Sequence, residues 1–152
     1  MFERTHLPPP LFIPFKAQKA GSVLTAELKI NEHRVYVFAL MVKLKKNMSF
    51  EEGKKFMNSL GEYGITTGVS MRVRLKIDKV LSTSEQTIYE KEIFEEEFTS
   101  SGRSGFAKRI DLIPLKPGFY RVVIKSLKDV SELTGHPITL GIYQLRNMEP
   151  LS

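Results

Sequence analysis

Ten consecutive residues, from Val69 to Asp78, alternate without a break between apolar and polar side chains. Val69, Met71, Val73, Leu75 and Ile77 are interleaved with Ser70, Arg72, Arg74, Lys76 and Asp78. Successive side chains of an extended chain point to opposite faces, so this run gains one buried and one wet face only as a β-strand. A helix would scatter the same apolar residues around its whole circumference. The same period appears at residues 24–30, where Leu24, Ala26, Leu28 and Ile30 alternate with Thr25, Glu27 and Lys29. Further strand-length runs fall at 86–93, 106–115, 119–127 and 138–145, bounded by Gly, Pro, Asn, Asp and Ser.

Two runs depart from simple alternation. Residues 35–44 are apolar on both faces at first, as a central strand would be, with Tyr36, Phe38, Leu40, Val42 and Leu44 turned inward. Residues 11–17 contain Pro14, which cannot donate to a ladder, and so read as an edge strand. Strands 24–30 and 35–44 are expected to pair as a hairpin across Asn31–Arg34. In strand 106–115, Ile110 and Leu112 are expected to face inward. Ser49 and Glu52 form a capping box, followed at helical spacing by Phe56, Met57 and Leu60 and stopped by Gly61. This predicts one short inserted α-helix over residues 50–60. Residues 61–68 and 98–105 read as loops rich in Gly, Ser and Thr. Residues 1–10, with Pro8, Pro9 and Pro10, form an extended lead-in to a single domain spanning 11–148.

The chain has 152 residues, enough for one domain with a real core. It contains no cysteine, which removes disulfides, thiolate nucleophiles and cysteine-ligated zinc from consideration. The net charge of +6 would suit an anionic partner, but the basic residues are interleaved with acids along most of the chain, so nucleic acid is not expected as a partner. No apolar run approaches the ~20 residues of a transmembrane helix. No apolar stretch of a signal peptide follows Met1. A native Met1 would place the protein in the cytoplasm. A trimmed mature form would place it in the periplasm or on the envelope, with a lipid tether upstream.

No residue set points to catalysis, a metal or a cofactor. His6, His33 and His136 have no metal-ligand neighbours at short spacing. The string from Ser101 to Gly105 has neither the order of a nucleophile elbow nor the Gly-Lys-Ser/Thr of a phosphate loop. Glu95, Glu96 and Glu97 read as a solvated charge run at a strand end. The candidate partner-binding residues are Arg72, Arg74 and Lys76, on one strand face, with Ser101, Arg103 and Ser104 in the loop. The plainer reading of the basic stripe is a wet sheet face paired across the sheet with Glu90 or Glu92.

Leu115 to Tyr120 carries a Pro-Gly turn, Pro117-Gly118, followed by Tyr120. This resembles the tyrosine corner of Greek-key sandwiches, and the expected fold is an immunoglobulin-like antiparallel β-sandwich. The sequence is also similar to a family of small uncharacterised proteobacterial domains. The likeness rests on an opening Pro-Phe strand, the run Tyr36-Val37-Phe38-Ala39-Leu40, the pair Leu60-Gly61, the close from Leu115 to Val122, and then Leu127-Lys128-Asp129 and Glu132-Leu133. The resemblance implies an exported protein or lipoprotein, in some members an immunity partner of antibacterial toxins. It makes the expected function non-enzymatic: a protein-binding module that neutralises a secreted toxin of the type VI secretion kind. The alternative is a cell-envelope carbohydrate-binding or adhesion sandwich, with Tyr63, Tyr89 and Tyr143 as its candidate aromatics.

Overall fold

The computed structural model describes residues 6–43, 49, 51–52, 71–95, 100–102 and 105–145. Nine strands fill most of that length: β1 (Leu11–Pro14), β2 (Val23–Ile30), β3 (Arg34–Lys43), β4 (Met71–Val80), β5 (Glu85–Glu95), β6 (Ser100–Gly102), β7 (Gly105–Leu115), β8 (Gly118–Ser126) and β9 (Ile138–Gln144). They form two antiparallel sheets. One has the order β1-β9-β3-β7-β6 and the other β2-β8-β4-β5.

The faces follow the alternation. On β2, Ala26, Leu28 and Ile30 are buried; on β4, Met71, Val73, Leu75 and Ile77; on β8, Tyr120, Val122 and Ile124. These meet Tyr36, Phe38, Leu40 and Val42 of β3 and Ile138, Leu140 and Ile142 of β9 in one continuous core. Each fully buried Leu, Ile or Phe side chain contributes about 1.5–3 kcal/mol, so this shared core is what holds the two sheets together. Pro14 does lie on an edge strand.

The connectivity differs from the sequence-based expectation. β2 and β3 are not a hairpin: β2 pairs with β8, and β3 pairs with β7 and β9 in the other sheet. The closing strands β8 and β9 are likewise in different sheets. The pairings nest instead, β1 with β9, β2 with β8, β3 with β7 and β4 with β5, and alternate between the sheets. That is the double Greek-key pattern of a jelly roll, with β6 added beside β7. In an immunoglobulin sandwich the first two strands are neighbours in one sheet; here they are in opposite sheets. The period of a strand shows which side is wet but not which sheet it joins, and so the immunoglobulin-like expectation is corrected at this level.

Smaller corrections have local causes. Ser100–Gly102, expected in a loop, forms β6. On β7, Asp111 lies opposite Phe38 and Arg109 opposite Ala39, leaving Ile110 as the extra residue of a β-bulge. The bulge breaks the alternation: Ile110 and Ile113 are buried, whereas Leu112 is turned outward and is 40% exposed. The Glu52 backbone N–H donates to Ser49 Oγ at 3.1 Å, which is the cap expected there. The rest of the helix predicted over 50–60 lies outside the described residues, as do Leu44 and the 61–68 loop. Ahead of β1, Leu7 makes a parallel bridge to Leu28 on the open edge of β2: its N–H donates to the Glu27 carbonyl, and the Lys29 N–H donates to its carbonyl at 2.9 Å. Covering an edge in this way blunts its tendency to pair with another chain.

At one end of the sandwich the chain crosses between the sheets at two adjacent corners, β2 to β3 and β7 to β8. Both are tied in the same way. Tyr36 Oη donates to the Glu32 carbonyl at 2.8 Å, and Tyr120 Oη donates to the Lys116 carbonyl at 2.7 Å. Each tyrosine reaches back four residues from the third position of its strand. The register sets Ile30 opposite Gly118 and Arg34 opposite Leu115, so the two corners lie side by side. Gly118 has φ of 153°, a region that L side chains rarely adopt, which is why glycine opens β8.

Candidate functional site

The outer face of the β2-β8-β4-β5 sheet carries the basic stripe. Arg72, Arg74 and Lys76 all point outward, but each already has a carboxylate. Arg72 Nε donates to Glu92 Oε1 at 2.5 Å, Arg74 Nη2 lies 3.7 Å from Glu92 Oε2, and Lys76 Nζ lies 3.7 Å from Asp78 Oδ2. Glu90, opposite Lys76 in register, is the next acid along β5. Exposed pairs of this sort contribute about 0–1 kcal/mol each. Their larger consequence is to damp the field that the stripe would present to a partner.

Arg121 on β8 ties this face together. Its Nε donates to Glu27 Oε1 on β2 at 3.0 Å, and its Nη1 pairs with Glu85 on β5. Asp78, opposite it on β4 and only 7% exposed, accepts a 2.7 Å hydrogen bond from Thr87 Oγ1. The Glu27 hydrogen bond, more than any other contact, raises the Arg121 pKa and keeps its charge permanent. Glu27 Oε2 is also 3.1 Å from His6 Nε2, and the His6 ring stands edge-on to Phe119 with centroids 4.9 Å apart. One guanidinium thus links the two edge strands of the sheet across its outer face.

The other predicted residues do not join this stripe. Ser101 lies on β6, at the edge of the opposite sheet, with its backbone opposite Phe106. Arg103 and Ser104 lie outside the described residues. Pro117, Gly118 and Tyr120 form the corner, and of these Tyr120 lines a hollow of about 260 Å³ together with His33, Lys79 and Lys116. Of the alternative aromatics, Tyr63 lies outside the described residues. Tyr89 is committed to structure: its Oη donates to Asp111 Oδ2 at 2.6 Å, bridging β5 and β7 from one sheet to the other. Tyr143 lies on the outer face of the β1-β9-β3-β7-β6 sheet beside Phe12, the rings nearly parallel at 25° with centroids 6.3 Å apart. Phe12 is opposite Gly141 and lies over it; a Cβ there would come within 3.3 Å of the ring.

Three tyrosines share one electrostatic signature. Burial is the main cause of the raised pKa at Tyr36, Tyr89 and Tyr120, and at Tyr89 the hydrogen bond to Asp111 adds to it. An unfolded tyrosine ionises near pH 10, so above that pH the unfolded chain gives up phenolic protons that the folded chain retains. The contribution is complete below the unfolded pKa and is lost as pH rises through the folded values. Urea midpoints measured from pH 8 to 11 are expected to decline in the upper part of that range, and less steeply in Tyr89→Phe. An equally steep decline in that variant would remove Tyr89 as a source.

The opposite end of the sandwich was not singled out by sequence. There the β1–β2 and β8–β9 connections interlock. Ser126 Oγ donates to the Ala17 carbonyl, the Val130 N–H to the Gln18 carbonyl, and the Ala20 N–H to Asp129 Oδ1. His136, only 3% exposed, sits in the middle. Its Nδ1 is 3.0 Å from the Lys43 carbonyl, an acceptor, so that nitrogen carries the proton. Two adjoining clefts of about 600 and 450 Å³ flank this junction and share Lys16, Gln18 and Gly135; Lys43 lines the first and Lys19 the second. The only sequence signal was a pair of lysines, Lys16 and Lys19, in a connection.

Among the described residues no group of three His, Cys, Asp or Glu side chains could hold a metal ion. None of the described helical segments is long and apolar enough to cross a membrane.

These features define a mainly β, two-sheet sandwich domain with one charged outer face and an interlocked loop end. The chain belongs to the family described as a domain of unknown function, DUF5625, whose profile matches residues 12–144. In structure it is similar to GEBA250068378 from Sulfurospirillum deleyianum, known from a crystal structure. The TM-score is 0.76 at 21% identity, over 93% of this chain and 100% of that one. That likeness extends to the fold. No curated protein matches the sequence.

Proposed function

We propose that this chain is a non-enzymatic protein-binding module, and specifically an immunity protein that neutralises a secreted antibacterial toxin by covering its active site. The observation that carries the reading is the use made of the ionisable side chains. On the charged sheet face, Arg121, Glu27, Glu85, Asp78, Arg72 and Glu92 are engaged in holding strands to one another. His136 pins two connections. Such a framework is rigid, and rigid surfaces keep low the ordering cost of association. An interface of roughly 1,200–2,000 Å² would suffice for a stable complex. In this reading the chain acts in the periplasm or at the envelope, where the toxin of a neighbouring cell would arrive.

The test is co-expression with the toxin encoded beside the gene. Stoichiometric complex formation and protection of the host cell are expected. A neighbouring toxin that neither binds nor is neutralised would overturn the immunity reading.

A carbohydrate-binding reading is favoured by one observation, the Phe12 ring, 54% exposed and laid over Gly141 beside Tyr143. A flat aromatic face backed by glycine suits the apolar side of a sugar ring. The same pair also has a purely structural use, since an aromatic ring over a cross-strand glycine compensates for the missing side chain. A glycan array decides between the uses: binding that Phe12→Ala abolishes would favour the carbohydrate reading, and a blank array would remove it.

A further inference from the structure

The positive charge of the chain is unevenly committed. Arg72, Arg74, Lys76 and Arg121 are each matched with carboxylates on the sheet face. Lys16 and Lys19 in the β1–β2 connection and Lys43 at the end of β3 are exposed, and no ion pair engages their ammonium groups among the described residues. All three line the contiguous clefts at the interlocked end. One acid shares this lining, Asp129, and its Oδ1 is already taken by the Ala20 N–H. A concave surface with an excess of unpaired positive charge concentrates anionic ligands far better than a flat face whose charges are neutralised.

The remaining lining narrows the ligand. Pro14, Phe15, Pro137 and Ile138 supply apolar wall, and Ser131 and Thr134 add a second rim. Gln18 Nε2 donates to the His136 carbonyl at 3.3 Å, while Gln18 Oε1 is shut off from solvent and accepts no hydrogen bond. A turn of the Gln18 amide toward the cleft would let a ligand's backbone N–H relieve that deficit, whereas an unprotonated phosphate oxygen would not. The hollow at the corner end is smaller, about 260 Å³, and is walled by Ile88, Pro114 and Leu115.

We propose that the loop end is the docking site for an extended acidic protein segment, with its carboxylates on Lys16, Lys19 and Lys43 and a backbone N–H toward Gln18. The proposal rests on the protein-binding reading and moves the interface from the basic stripe on the outer face of β4 to the clefts of the loop end.

The experiment is an NMR titration of the isotope-labelled full chain with a twelve-residue peptide rich in glutamate. Amide shifts are expected at residues 16–19, 43 and 131–139. The triple variant Lys16→Glu, Lys19→Glu, Lys43→Glu should weaken binding by at least about tenfold, equivalent to 1.4 kcal/mol. All three residues are exposed, so its thermal midpoint should change little. The pair Arg72→Glu, Arg74→Glu should leave the peptide affinity within about twofold. Shifts confined to the β4 face, or affinity that survives the triple charge reversal, would overturn the proposal. So would inorganic phosphate or a single-stranded oligonucleotide that binds the clefts as well as the peptide does. Peptide binding in the clefts without protection from the neighbouring toxin would uphold this site and overturn only the immunity reading.

Discussion

Tyr120→Ala is expected to lower stability by about 3–5 kcal/mol, the cost of emptying a buried aromatic site. Tyr120→Phe should cost only about 1–2 kcal/mol, because it keeps the ring and leaves the Lys116 carbonyl without its donor. The ring packs in the core at 2% exposure while its hydroxyl ties the crossing from β7 to β8. Total stability for a domain is about 5–15 kcal/mol, so the alanine variant would lie near the threshold of folding. At roughly 2–4 °C per kcal/mol for a chain of this size, its melting midpoint should fall by about 6–20 °C. Tyr36→Phe should match the smaller effect, since Tyr36 makes the same bond at the neighbouring corner. Thermal and urea unfolding measure all three. A Tyr120→Ala loss below 1 kcal/mol would mean that the corner does not hold the sheets.

The second large effect is expected at Arg121. Removing one partner of a fully buried ion pair costs about 3–5 kcal/mol. Here Glu27 is 14% exposed and Arg121 28% exposed, so water relieves part of the loss. A cost of about 2 kcal/mol is expected for Arg121→Ala, between that limit and the near-zero value of open surface pairs. Arg121→Met keeps most of the stem against the sheet and separates packing from charge. In a double-mutant cycle with Glu27→Gln, a coupling of about 1 kcal/mol should appear and should shrink in high salt. No coupling would reduce this node to an energetically idle contact, and the sheet would then be held by its core alone.

Much of the secondary structure was legible from the residues. The alternation from Met71 to Ile77 and from Leu24 to Ile30 assigned buried and wet faces, because the pleat turns each successive side chain over. Asp78, read on the wet face, is buried where the β4–β5 register shifts. Pro14 marked an edge for an equally local reason, the missing N–H. The Tyr120 corner was visible as a short string, Lys116 to Tyr120. Its twin at Tyr36 was missed, since no Pro-Gly turn announces it. Leu112 was misplaced because a bulge at Ile110 resets the alternation, and a single extra residue leaves little trace in an apolar run.

The candidate site was less legible than the fold. Arg72, Arg74 and Lys76 were read as a shared face, and they are one, but their neutralisation by Glu92 and Asp78 depends on a strand register set at long range. The cleft lysines come from the β1–β2 connection and the end of β3, and His136 from a third segment. No spacing rule links them.

What the sequence determined by itself is therefore most of the strands, the two faces of those that alternate regularly and the local chemistry of one corner. All of these arise within a few residues of chain, where sterics and pleat act directly. The tertiary structure alone decided which sheet each strand joins, so that the expected β2–β3 hairpin became a crossing and the sandwich a jelly roll. It also decided which charges cancel and which remain free. Those outcomes are settled by burying a common core between distant segments, and that energy is not written in any one of them.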